Sequence, residues 1–189
     1  MTLPDKLFLR RHIRQHRRRL SRARQAHAAQ RLCLRIMRTH WWRTAARIGF
    51  YWPADGEISL LPLLRRALAQ GKQCYLPVVE HQLLVFHEYK RGGKLRRNRY
   101  NIPEPKGTAT CAIQQLDIIL LPLVAFDAQG NRLGMGAGFY DRALASCSAQ
   151  KPLRIGVAHD FQKMEDLPTD PWDVPLHCVI TDARIYRTR

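Results

Sequence analysis

The chain has 189 residues, 46% of them apolar, with 11 Gly and 11 Pro, which excludes collagen-like, low-complexity and disordered classes and suits one compact domain. The net charge of +17 is unevenly spread: residues 6–54 hold 14 Lys or Arg and no Asp or Glu, whereas residues 55–189 hold 18 basic and 14 acidic side chains. The longest apolar run, Ile118 to Phe126, falls short of the roughly 20 residues of a membrane span and contains Pro122.

In chain order, the opening residues MTLPDKLFLRRHIRQ lack the apolar stretch of a secretory leader, so a cytoplasmic protein is expected. From Lys6 to His40 there is no Gly or Pro, and Leu9, Ile13, Leu20, Ala29, Leu32, Cys33, Ile36 and Met37 recur at helical spacing. This predicts one long helix, or two joined near Leu20 with Ser21 capping the second. Arg47 to Pro53 predicts a strand, Pro53 to Gly56 a turn, and Ile58 to Gln70 a helix closed by Gly71. Strands are predicted at Cys74–Val79 and Leu83–Tyr89, then a basic loop over 90–108 with six Lys or Arg between Lys90 and Arg99. Asp117–Leu121 is near-continuously apolar, as a strand covered on both faces should be. A glycine-rich stretch, a helix over Phe139–Ser148, and last strands at Arg154–Ala158 and Cys178–Thr181 complete the pattern. Strands alternating with helices predict an α/β fold with a mostly parallel sheet flanked by helices. One domain over 1–189 is expected, with a basic helical segment (1–46) and an α/β body (47–189). Five scattered cysteines without a C-x-x-C pair argue against a disulfide framework or a structural zinc site.

The segment Ile118 to Arg142 is the most informative for chemistry. An apolar strand leads to Gly134, Gly136 and Gly138 at alternate positions, and a helix begins at once. Glycines let backbone N–H groups approach a ligand, and a helix start adds free donors, so a phosphate is favoured there; an ordinary glycine-rich connection is the alternative. Arg132 is placed to neutralise a phosphate oxygen, and Asp141 is a natural magnesium partner. Lys6 and Arg10 share a helix face and reach an anion or are simply solvated. Glu57 follows a strand ending Tyr-Trp-Pro, at the sheet edge where open α/β sheets bind ligands, or else caps the next helix. His12 and His16 have metal-ligand spacing, but five Arg between positions 10 and 18 would repel a cation.

Several blocks occur in a recognisable order. They are Lys6-Leu-Phe-Leu-Arg10 with Arg17-Arg-Arg-Leu-Ser21, then Pro53-Ala-Asp-Gly-Glu57, Gly71-Lys72 and Leu76-Pro77, then Ile102-Pro-Glu-Pro105. The long block Pro122 to Asp141 and the closing Leu167-Pro168 and Trp172-Asp-Val-Pro175 follow. Over essentially its whole length the chain resembles the 5-formyltetrahydrofolate cyclo-ligase (methenyltetrahydrofolate synthetase) family. The resemblance implies an α/β fold related to the ribose-phosphate isomerase and coenzyme A transferase group. It also implies an ATP-dependent ligase of folate one-carbon metabolism that closes 5-formyltetrahydrofolate to 5,10-methenyltetrahydrofolate.

By matching positions it implies ATP contacts from Lys6, Arg10, Arg132, Leu133, Gly134, Met135, Gly136, Ala137, Gly138, Phe139 and Tyr140. Folate contacts would come from Trp52, Glu57 and the Met135–Phe139 part of the loop, and Asp141 would hold Mg2+. Ala137 stands where members carry Gly or Lys. His177 stands where some carry an Asp that supports the metal, and a bystander role is preferred for it. A monomer with no membrane or nucleic-acid partner is expected. The resemblance gives no role to most of the N-terminal charge. Two other classes stay in view: an RNA- or DNA-associated protein using Arg10–Arg47 and the Lys90–Arg99 loop, and a sugar-phosphate or acyl-group enzyme on the same fold.

Overall fold

The computed structural model describes residues 5–188; the first four residues of the N-terminal stretch considered above, and Arg189, lie outside them. In chain order the helices are α1 (Lys6–Arg19), α2 (Arg22–Met37), α3 (His40–Thr44), α4 (Leu61–Ala69) and α5 (Phe139–Leu144). The strands are β1 (Arg47–Gly49), β2 (Gln73–Glu80), β3 (Leu83–Glu88), β4 (Leu95–Arg97), β5 (Pro103–Pro105) and β6 (Thr110–Cys111). They continue with β7 (Ile118–Pro122), β8 (Ala125–Phe126), β9 (Arg132–Leu133), β10 (Leu153–Ala158), β11 (Cys178–Thr181) and β12 (Ile185–Arg187). No helix among the described residues is long and apolar enough to cross a membrane.

Eight strands form the main sheet in the order β12-β11-β10-β7-β1-β2-β3-β6. The five central ones run parallel, β12 on one side and β3 on the other run against them, and β6, antiparallel to β3, again runs with the centre. The sheet is therefore mixed, with a parallel centre. β7 shows why its sequence is apolar at every position. Ile118 and Leu120 enter a core with Leu32 and Ile36 of α2 and Leu63 and Ala67 of α4. Ile119 and Leu121 enter another with Phe86, Phe126 and Leu144 on the opposite face. A third, smaller cluster joins Leu9 and Ile13 of α1 to Val124, Ala125 and Leu133 around the β8–β9 hairpin.

Local chemistry moves several predicted boundaries. The N-terminal segment is two helices, and the Ser21 side chain caps α2 by accepting from Arg24 N. β1 stops at Gly49 rather than Pro53, because the chain turns toward the Asp55–Gly56 bend, where both residues have positive φ. α4 starts at Leu61, not Ile58: Ser59 Oγ accepts from Leu61 N, and Pro62 suits the first turn. The helix predicted to run to Ser148 ends at Leu144, and Ser148 instead closes a turn to Lys151 N. The 90–108 loop contains the β4–β5 hairpin. Its turn is held by Asn98, which accepts from Tyr100 N and Ile102 N, with Asn101 left-handed. β12, α3 and the β8–β9 pair have no counterpart in the prediction, each being five residues or shorter.

Arg17 fastens α1 to two loops at the end of the sheet. The Arg17 side chain is 1% exposed, and its guanidinium donates to Asp55 O (2.8 Å), Asp55 Oδ2 (2.9 Å) and Leu123 O (3.3 Å). Arg14 and Arg18 also bond the Asp55 carboxylate. Burial opposes charge on Asp55, but these guanidiniums outweigh it and hold its pKa below the usual value. Gly56 follows, with φ +73 and the Arg17 carbonyl 3.0 Å from where a Cβ would sit, so only glycine fits under the helix. Replacing Arg17 with Met removes these donors while leaving their acceptors desolvated. Breaking a buried pair of this kind costs about 3–5 kcal/mol, which should lower the thermal midpoint by roughly 10 °C. Circular dichroism melts check this, and an unchanged midpoint would count against the latch.

Candidate active site

A cavity of about 640 Å³ opens beyond the carboxyl ends of β1, β2 and β7, roofed by α1, the glycine loop and the β4–β5 hairpin. It brings together Lys6, Arg10, Trp52, Glu57 and the whole run Arg132–Asp141, residues far apart in sequence. Three of the exposed large apolar side chains, Tyr100, Met135 and Trp172, also line it. Apolar and aromatic side chains thus share the lining with a few charged groups, the usual make-up of a small-molecule site.

Glu57 sits on the turn latched by Arg17. One carboxylate oxygen accepts from Ala54 N at 3.0 Å, so the side chain closes this turn and caps no helix. Burial pushes its carboxyl up to about 7, the Ala54 bond opposing the shift. Burial likewise raises the phenols of Tyr51 and Tyr140, and the Glu57 charge adds to both. Trp52 beside it is half-buried and meets Tyr89 edge to face, with 6.3 Å between ring centres.

On the glycine loop, Gly136 (φ +100) and Gly138 (φ +64) are left-handed, which strains any other residue. The Gly134 carbonyl accepts from Arg10 Nε at 2.9 Å, so α1 touches the loop directly. α5 has only six residues, so its dipole adds less to anion binding than the predicted longer helix would. Arg132 is 3% exposed at its side chain and donates to Asp141 Oδ1 at 2.5 Å, while its Nε has no partner among the described residues. Asp141 retains Oδ2 without a partner among the described residues. Lys6 lies in the cavity but already holds Asp170 (2.6 Å) and Asp173 (3.4 Å). Burial works against its charge, but these two carboxylates prevail and raise its pKa.

His177 is not among the cavity residues. Its Nδ1 accepts from Arg154 N at 2.8 Å and its Nε2 donates to Ala149 O at 2.6 Å, leaving no lone pair for a metal. His16 is stacked on Phe161, with ring centres 4.1 Å apart, rather than arranged with His12 for a metal. Among the described residues no three of His, Cys, Asp and Glu gather as a metal cage.

Sequence reasoning assigned no role to Asp170, Asp173, Tyr100 or Glu104. Glu104 is 2% exposed and accepts from Val79 N (2.9 Å) and Asn98 Nδ2 (2.7 Å), pinning the hairpin to β2. That hairpin carries Tyr100, which meets Phe139 edge to face at 6.2 Å across the cavity. Ile102-Pro-Glu-Pro105 and Trp172-Asp-Val-Pro175 stand out as blocks in the sequence, but nothing in their composition gives them partners.

The model of the 5-formyltetrahydrofolate cyclo-ligase family matches residues 3–182. The 5-formyltetrahydrofolate cyclo-ligase of Escherichia coli K12 is 38% identical over 180 residues, covering 92% of this chain and 98% of that protein. That of Haemophilus influenzae is 38% identical over 177 residues, covering 91% and 95%. The solution structure of Aquifex aeolicus 5,10-methenyltetrahydrofolate synthetase superimposes with a TM-score of 0.88 at 31% identity, covering 97% of this chain and 93% of that one. The Mycoplasma pneumoniae 5,10-methenyltetrahydrofolate synthetase does so at 0.78 and 28%, covering 95% and 99%.

The titration of Glu57 is directly testable. A raised pKa means that the folded chain favours the protonated acid. The stability this contributes is complete below the ordinary value of 4.5 and is lost as pH rises to about 7. The parent chain should therefore lose more stability between pH 4.5 and 7 than Glu57→Gln, which cannot ionise. Thermal melts across that range measure the difference, and parallel curves would contradict a raised carboxyl.

Proposed function

The chain belongs to the 5-formyltetrahydrofolate cyclo-ligase family, and from that membership we propose that it converts 5-formyltetrahydrofolate and ATP to 5,10-methenyltetrahydrofolate, ADP and phosphate. The supporting observation is that one cavity sets a carboxylate and an indole, Glu57 and Trp52, opposite a glycine loop touched by Arg10. The pterin ring lies against Trp52, and the Glu57 carboxylate accepts two N–H bonds from its amidine edge. The triphosphate lies along Gly134–Gly138, whose backbone admits it closely. Arg10 and Lys6 meet its charge, Lys6 exchanging part of its contact with Asp170 and Asp173.

A formamide carbonyl is a poor electrophile, and its oxygen is a poor leaving group. The formyl oxygen attacks the γ-phosphorus, the bond to the ADP oxygen breaks, and an iminium-like phosphate results. Nitrogen 10 then attacks the formyl carbon. The carbon–oxygen bond breaks, phosphate leaves, and nitrogen 10 gives its proton to the departing phosphate. The protein positions two substrates and screens charge, which is most of what phosphoryl transfer asks of an enzyme. The aromatic rim of Tyr100, Phe139 and Trp172 keeps water from the activated formyl group.

The donor set fits magnesium, which needs only one or two carboxylates when phosphates and waters supply the rest. Asp141, with one oxygen held by Arg132 and the other uncommitted among the described residues, would hold it. Bound there, the ion would neutralise phosphate oxygens.

The deciding assay follows absorbance of the methenyl product from 5-formyltetrahydrofolate with and without Mg-ATP; equal rates without ATP would refute the proposal. In it, Glu57→Gln should weaken folate binding by roughly ten- to a hundred-fold, the range for a charged hydrogen bond, and leave ATP affinity nearly unchanged. In the parent chain folate affinity should fall about tenfold per pH unit once Glu57 protonates, below a pKa of about 7. Asp141→Ala should sharply raise the magnesium needed for turnover, whereas His177→Ala should not. The reverse pattern would move the metal away from Asp141.

A further inference from the structure

The α1 cations that make ion pairs do so with carboxylates of the body: Lys6 with Asp170 and Asp173, and Arg14, Arg17 and Arg18 with Asp55. Those of α2 do not. Arg22, Arg24, Arg31, Arg35 and the C-cap Arg38 form no ion pair with a carboxylate among the described residues. At 3.6 residues per turn, Arg24, His27, Arg31, Arg35 and Arg38 fall within about 80° of arc, in a stripe roughly 21 Å long. The stripe flanks the face that buries Ala28, Leu32 and Ile36.

Its C-terminal half borders a second cavity, of about 550 Å³, lined by Arg31, Arg35, Arg38, Trp41, Ile185 and Arg187 among others, with no acidic side chain. The two cavities share no residue. The second cavity runs along the edge strand β12, where Arg187 pairs in register with Cys178 and Ile185 with Ile180, whereas the first lies beyond the carboxyl ends of the central strands. Arg35 donates through Nη2 to Asp182 O, but its Nε is buried without an acceptor among the described residues. Four guanidiniums with no counter-charge call for an anion. Half-buried Trp41 and Ile185 add an apolar platform that takes a planar ring. The positive stripe continues past the cavity along α2, so the anion is a polymer rather than a single phosphate. A membrane surface suits it less, because Leu34 is the one exposed large apolar residue on this helix among the described residues.

We propose that this groove binds a single-stranded nucleic acid, with backbone phosphates against Arg24, Arg31, Arg35, Arg38 and Arg187 and a base against Trp41. The site is independent of the folate reaction and uses none of its residues. DNA and RNA share the required chemistry.

The test is fluorescence anisotropy of labelled single strands of roughly 12 nucleotides, RNA and DNA in parallel, titrated with the full chain at several salt concentrations. Binding that weakens with salt is expected. The triple variant Arg31→Glu, Arg38→Glu, Arg187→Glu should lose about tenfold or more in affinity. Its log–log salt slope should fall by about two, from roughly 0.7 per lost phosphate contact. Trp41→Ala should weaken binding with the slope unchanged. Both variants should keep methenyl-forming activity, which also reports that they fold. If the triple variant fails to fold, Arg31→Gln with Arg38→Gln replaces it, with a smaller loss in the same direction. The control Arg11→Glu, Arg19→Glu, Arg65→Glu changes the charge equally at exposed sites outside the groove and should leave affinity nearly intact. No binding, an equal loss in the control, displacement by adenosine monophosphate at matching nucleotide concentration, or tighter binding to phosphatidylserine vesicles would each overturn the proposal.

Discussion

A guanidinium taken out of water must have its donors satisfied in place, and Arg17 meets this demand with a carboxylate and two carbonyls from two separate loops. That requirement fixes the geometry of everything around it. One loop is the turn whose next residues are Gly56 and Glu57; the other begins at Leu123, beyond the end of β7. From the same helix, two turns earlier, Arg10 reaches the Gly134 carbonyl. A rigid α1 therefore spans from the Glu57 turn to the glycine loop, and displacement at one is felt at the other. Gln25 of α2 reinforces the joint by donating to both the Arg17 and Gly56 carbonyls.

Much of this was legible in the sequence where the signal is local. Ser21 as a cap, the doubly buried β7 and the glycine-rich turn before a helix at Phe139 follow from side-chain and backbone chemistry that needs no distant partner. The order of motif blocks carried the family. What could not be read were partnerships. The spacing of Arg132 to Gly138 suggests a phosphate contact, but nothing in it signals the pairing with Asp141, nine residues on. The Lys90–Arg99 stretch looked like a loop because its composition is that of a loop. Its hairpin depends on a buried Glu104 reaching a β2 amide, a contact that no periodicity encodes. Short elements such as β12 and α3 were missed because three to five residues carry too little pattern to separate them from a turn.

The surplus positive charge divides by environment. On α1 much of it is matched by carboxylates of the body and serves the internal architecture. On α2 it faces outward with no such match among the described residues, and mutual repulsion along that stripe is a cost borne by the fold. The packing of Leu32 and Ile36 against the sheet offsets it, since both are almost wholly withdrawn from water.

The Lys6 contact with Asp170 and Asp173 joins residues 164 and 167 positions apart in the wall of the larger cavity. Closing a loop of that length costs conformational entropy that no local contact has to meet. This wall of the cavity therefore stands only while the intervening sheet holds its two sides together, so loosening of the sheet would be felt at the cavity before any lining residue changed.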